Sequence, residues 1–231
     1  DEIAELGVTI WELSNGARVM LKPTDFKNDQ ILFSAYSPGG HSLVPDADYI
    51  PAATASTIVT QGGLGNFDQV GLMKWLTGRV VGVNPYVAEL HEGLSGSASP
   101  QDSETMVQLI HGYFTATRTD SVTFASLRTR LGAMVENRSS RPETAYGDTI
   151  QVTMAQHHYR ARPWSEAMLQ ELDLQTSMQV FQERFADASD FTFFLVGNLD
   201  MESVEPLVER YLASLPALHR AEIWRDVDKN P

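Results

Sequence analysis

The stretch Phe191-Thr192-Phe193-Phe194-Leu195-Val196-Gly197-Asn198-Leu199-Asp200 decides the fold. Its first six residues are β-branched, aromatic or aliphatic, which suits a strand buried within a sheet. Gly197-Asn198-Leu199-Asp200 then turns the chain. Asp200 or Ser203 opens a helix carrying Val204, Leu207, Val208 and Leu212, which stops near Pro216. Upstream, a helix from about Ser177 to Phe185 leads in through Asp187.

Outward from that unit, the N-terminal part reads as β-structure. Val8, Ile10 and Leu13 precede Ser14-Asn15-Gly16, and Val19, Met20 and Leu21 follow. Asn-Gly between apolar runs predicts a hairpin, because both residues tolerate positive φ. A further strand is predicted from Gln30 to Tyr36, broken by Ser37-Pro38-Gly39-Gly40. From Asp46 to Gln61 the pattern is helical, poor in charge and rich in Ala and Thr, as for a helix buried against a sheet; Gly62-Gly63 closes it. A second helix over 68–76 and two β-rich stretches, 80–89 and 90–98, come next.

The middle is helical. Pro100 and Asp102 open one helix with Met106, Leu109, Ile110 and Phe114. Asp120 or Ser121 caps the next, with Phe124, Leu127, Leu131 and Val135 at helical spacing. Pro142 is read as ending that region, ahead of a helix over 144–158, and Pro163 introduces a shorter one. These elements predict one α+β domain over 1–220, a mainly antiparallel sheet with helices packed on one face. Residues 221–231 read as a linker towards a following domain.

Composition narrows the function. With 17 Lys and Arg against 30 Asp and Glu, the formal net charge is -13, a surface that repels phosphate backbones and makes nucleic acid an unsuitable partner. No apolar run approaches the roughly 20 residues of a bilayer-spanning helix, so membrane insertion is not expected. Cysteine is absent, which excludes disulfides, thiolate metal sites and cysteine nucleophiles. The first residues, Asp1 to Leu6, show no leader pattern and read as cut from something longer.

In order along the chain, Leu13-Ser14-Asn15-Gly16-Ala17-Arg18-Val19, Phe33-Ser34-Ala35-Tyr36-Ser37-Pro38-Gly39-Gly40, and Phe194-Leu195-Val196-Gly197-Asn198-Leu199-Asp200 followed by Leu207 through Leu215-Pro216 form a pattern. It resembles the pitrilysin/insulinase family of zinc metallopeptidases, whose catalytic domains carry H-x-x-E-H on the helix after the glycine turn. There, two His at i and i+4 on one helix face hold zinc and the Glu serves as base on the metal-bound water. Matching the family's following glycine to Gly62 puts the motif on Ala53-Thr54-Ala55-Ser56-Thr57. The ligand positions fall on Ala53 and Thr57, and the base position on Ser56. Ala53 has no donor atom, and neutral hydroxyls are poor zinc ligands and poor bases. Glu136 falls near the family's downstream Glu ligand, but one carboxylate does not replace three ligands. No His lies between His41 and His91 to rescue the site.

The resemblance therefore implies a catalytically inactive domain with no catalytic or metal residues of its own. Zinc is expected in the catalytic domain of a parent metallopeptidase. Its expected partners are other domains of the same polypeptide and a peptide substrate, whose chamber it helps to close; which residues bind substrate is left open. The alternative is a stand-alone inactive peptide-binding subunit that pairs with a separate active chain. A bacterial periplasm or cell envelope is suggested by resemblance only. The family's Arg-Tyr substrate pair is not carried onto Tyr159 or Arg160.

Other features have bland readings. His157-His158 are adjacent on a predicted helix, about 100° apart, and suit a solvated face rather than one ion. His111, His91 and His41 read as structural or exposed. Gly93-Leu94-Ser95-Gly96-Ser97 lacks the second glycine of a nucleophile elbow, and Gly62-Gly63-Leu64-Gly65 lacks the Lys of a phosphate loop. A hydrolase built from Glu136 and His157 on separate loops is the remaining rival. Asn137-Arg138-Ser139 matches a glycosylation acceptor by pattern alone.

Overall fold

Period-two alternation sets which face each strand turns to the helices. The strands are β1 (Glu2–Ile3), β2 (Val8–Glu12), β3 (Arg18–Pro23), β4 (Ile31–Pro38), β5 (Val81–Val87), β6 (His91–Ala98) and β7 (Thr192–Gly197). In β4, Ile31, Phe33, Ala35 and Ser37 are buried while Leu32, Ser34 and Tyr36 are exposed. In β7 the core face carries Phe193 and Leu195. The computed structural model describes residues 2–138 and 141–229. Asp1, Ser139, Ser140, Asn230 and Pro231 lie outside the described residues, and with them the outer ends of the expected domain and linker and Ser139 of the Asn-Arg-Ser pattern.

The seven strands form one sheet in the order β1-β2-β3-β7-β4-β6-β5. All pairs are antiparallel except β3 with β7. The stretch that opened the sequence reading is thus a central strand. Phe193 stands between Val19 and Ala35, and Leu195 between Leu21 and Phe33. The fold is α+β with helices covering one face, as the sequence predicted.

The helices are α1 (Tyr49–Gly62), α2 (Gln69–Trp75), α3 (Ser103–Thr115), α4 (Ser121–Arg138), α5 (Pro142–Met154), α6 (Glu166–Glu171), α7 (Leu174–Arg184) and α8 (Met201–Leu207), the last running on as a π-helical turn over Val208–Leu212. α1 packs against β5 and α7 through small and β-branched residues such as Ala52, Ala55, Ile58 and Val59. Between α3, α7 and β7, Phe114, Phe181, Phe185, Phe191 and Phe193 form an aromatic cluster, with the Phe181 and Phe185 rings stacked 4.3 Å apart. Each such ring pair contributes about 0.5–1.5 kcal/mol beyond simple burial.

Several element ends differ from the sequence reading, each for a local reason. Pro142 opens α5 instead of closing the preceding region, since an N1 proline loses no intrahelical bond. α5 ends at Met154 rather than at His158, because Gln156 and His157 turn to positive φ. α7 starts before Ser177, at Leu174, where the Asp173 carboxylate accepts from Thr176 N–H at 2.7 Å. In the first hairpin only Gly16 takes positive φ. Asn15 is buried instead, and its amide donates to Leu212 O at 2.9 Å and Leu215 O at 3.2 Å. The hairpin therefore ties down the carbonyls that end the last helix. Gly63 caps α1 at φ 89, where a side-chain carbon would lie 2.2 Å from Phe67 O.

Candidate functional site

Three side chains of α1 occupy the positions where the resemblance places zinc chemistry. Ala53 and Thr57 are exposed and Ser56 half-buried, one turn apart on the face turned from the sheet. The inner face of the same turn holds Thr54 and Ala55, both buried. Thr54 Oγ1 donates to Ile50 O at 2.8 Å. The outward face is thus placed as a metal helix would need, but a methyl group and two hydroxyls do not fit zinc. Glu136 is exposed on α4, which packs beside α1. Among the described residues no group of three His, Asp or Glu is arranged to hold a metal ion. No helix there is long and apolar enough to cross a membrane.

The titratable chemistry lies one step earlier in the chain, under the Gly39-Gly40 turn. Gly40 has φ 62 and sits so close to the β5–β6 connection that a side-chain carbon would meet Ala88 O at 2.3 Å. The turn is bonded to that connection, from Gly39 N–H to Leu90 O and from His41 N–H to Ala88 O, both at 2.8 Å. Beneath it, Glu92 is 1% exposed. Its carboxylate accepts from Gly40 N–H at 2.5 Å and from Ser37 Oγ at 3.2 Å. Burial pushes this carboxyl up to about 7, although Gly40 N–H, Arg184 and Ser37 pull the other way. Asp190 is raised to about 6, again by burial first.

A second buried cation holds the loop that follows the turn. Arg160, 2% exposed, donates to Asp46 Oδ1 at 2.8 Å, His41 O at 2.9 Å and Val44 O at 2.6 Å. Its guanidinium also lies over the Tyr49 ring. This planar fork reaches three separated acceptors from three nitrogens, a spread that the single ammonium nitrogen of Lys does not match. His41 is buried edge-on to Tyr49, and burial lowers it to about 4, so its ring is neutral. His158 Nδ1 accepts from Arg160 N–H at 3.1 Å, while His157 is exposed beyond the end of α5. His91 starts β6 against Tyr36 and Tyr86, and His111 lies on α3 beside Tyr211. Glu136 lies on α4 and His157 past the end of α5. Neither Glu92 nor Arg160 was singled out by the sequence reading for this turn. Glu92 stands beside Gly93 and Arg160 between Tyr159 and Ala161, contexts too common to use.

The fold and the outward, non-ligating face of α1 agree with the resemblance to a silent zinc-peptidase domain. The chain is 30% identical over 216 residues to a zinc protease PQQL-like protein of Arabidopsis thaliana, covering 93% of the chain and 20% of the relative. The crystal structure of the periplasmic protease PqqL from Escherichia coli superposes with a TM-score of 0.81 at 23% identity, over 96% of this chain and 24% of that one. A peptidase M16 inactive domain from Pseudomonas fluorescens superposes with a TM-score of 0.72 at 16% identity, over 94% and 53% of the two chains. No protein-family model matches the chain. These likenesses support the resemblance to the pitrilysin/insulinase family. It spans about a fifth of the length of the sequence relatives it matches.

Proposed function

We propose that this chain is a catalytically silent domain of a larger zinc protease, closing the substrate chamber and contributing to peptide binding. The carrying observation is the outward face of α1: Ala53, Ser56 and Thr57 stand where two ligands and a base belong. The relatives' roughly five-fold greater length favours other domains of the same polypeptide as its partners over a separate active chain. Exposed apolar surface supports contact with further protein: Tyr146, Ile150 and Met154 recur every four residues along α5, which buries none of its own residues. Zinc and peptide cleavage then belong to the parent protein. A periplasmic setting follows from the PqqL likeness.

The test is elemental analysis with a peptidase assay on the purified chain. Less than a tenth of an equivalent of tightly held zinc and no cleavage are expected. One retained zinc per chain would overturn the reading. Substituting Ala53→His, Ser56→Glu and Thr57→His together should confer zinc uptake, since two exposed positions and one half-buried position lie outside the core.

A further inference from the structure

Buried charge is concentrated under the Gly39-Gly40 turn, where carboxylates outnumber cations. Facing Glu92 are Ser37 of β4, Tyr86 of β5, the Gly40 N–H, Arg184 at the end of α7, and Asp190 ahead of β7. Around Arg184 lie Glu183 at 3.6 Å and Glu222 at 2.8 Å; Arg220 reaches Glu222 at 3.5 Å. Asp187 is the remaining acid of this group. Glu92 and Arg184 close on the same point from two sides. A side-chain carbon on Gly39 would lie 3.0 Å from Arg184 Nη1 and 3.3 Å from Glu92 Oε2. The Arg184 guanidinium thus pairs with Glu222, which belongs to the irregular segment 217–229, while its Nη1 lies beside the same glycine as the buried Glu92 carboxylate.

That segment lies along the domain by identifiable bonds. Leu218 N–H and Arg220 N–H donate to the two oxygens of Asp187 at 2.9 and 2.7 Å. Arg225 N–H donates to Ser42 Oγ at 2.9 Å, beside the glycine turn. Lys229 pairs with Glu89 at 2.8 Å.

We propose that Glu92 is a proton-operated latch on segment 217–229. With a proton on Glu92, Arg184 serves Glu222 and the segment is held against the turn. Once Glu92 ionises, it competes for the same guanidinium and the hold on Glu222 weakens. Burial keeps Glu92 titrating near neutrality, where the exchange matters. The Asp187 anchor does not take part. Burial opposes its charge, but hydrogen bonds from Ser189, Arg220 and Leu218 outweigh that and hold it well below the usual carboxylate range. The held state keeps the Glu92 proton more tightly than the loosened one, so rising pH favours release until about pH 7, where the effect levels.

Amide hydrogen exchange by NMR on the whole chain, corrected for intrinsic rates, tests this from pH 5 to pH 8. Protection of Arg225 N–H should fall by up to about tenfold per pH unit towards pH 7, the limit for one linked proton. Leu218 and Arg220 N–H should hold their protection, and Glu92→Gln should make Arg225 insensitive to pH. A flat Arg225 profile in the wild type, equal losses at all three amides, or an unchanged profile in Glu92→Gln each overturns the latch. Glu222→Gln is the check if Glu92→Gln does not fold. It should strip Arg225 of its protection at pH 5 already, and full protection there refutes the proposal.

Discussion

The outward face of α1 and the pocket of charge beneath the Gly39-Gly40 turn are neighbours in sequence, yet they invert the usual placing of chemistry. On α1, at positions suited to a metal, stand Ala53, Ser56 and Thr57 with no ionisable group among them. Under the turn, Glu92, Asp190, Arg184 and Arg160 are shifted, buried or bonded as catalytic groups often are. The difference teaches that a displaced carboxyl is not by itself a mark of catalysis. Here Glu92 and Arg160 bond to backbone of the turn and of the loop after it, and they fix the path of the chain into α1. The exposed helix face contributes little to the core.

That contrast can be broken or sharpened by substitution. The largest effect is expected from Arg160→Ala, which removes the buried donor shared by Asp46, His41 O and Val44 O. A loss of about 3–5 kcal/mol in urea unfolding follows from removing a buried charged donor, and Arg160→Lys should recover only part of it. A loss below about 1 kcal/mol would show that the turn does not depend on this strut. Asn15→Ala should cost about 1–3 kcal/mol by leaving Leu212 O and Leu215 O without their donor.

Glu92→Gln should act through pH. Folding raises Glu92 from 4.5 to about 7 and Asp190 from 3.8 to about 6, so the folded state holds more protons. The stability these groups lend is present below their ordinary values and lost as pH rises through the raised ones. His41, lowered from 6.5 to about 4, works the other way, costing stability as pH falls through that interval. With two carboxyls against one imidazole, wild-type stability should decline by about 1–3 kcal/mol between pH 5 and pH 7. Glu92→Gln should shrink that decline, as thermal melts across pH would record; an identical slope would remove Glu92 from the cause. The smallest change is expected on α1: Ala53→Ser or Thr57→Ala should shift stability by less than about 0.5 kcal/mol. A larger loss would mean that this face is packed against something in the isolated chain.

Much of the architecture was legible from local chemistry. Phe193 and Leu195 announce a buried strand, Gly63 the end of α1, and Asp120 the start of α4, where its carboxylate accepts from Thr123 N–H at 2.9 Å. Ends governed by a single cap or a single φ were less so, as Pro142 and His157 show. The parallel pairing of β3 with β7 was not legible, since no local pattern distinguishes a partner about 170 residues distant from an adjacent one.

By itself, the sequence determined the one-sided α+β plan and, through the resemblance, which three residues fall at the expected metal positions, because side-chain period and donor chemistry are properties of local residues. Only the tertiary structure decided that Ala53 and Thr57 face outward while Glu92 and Arg184 both approach Gly39. It also showed that Asn15 of the first hairpin caps the last helix. Those facts depend on elements far apart in the chain being brought within a few ångströms, and burial and charge competition arise only once that approach has been made.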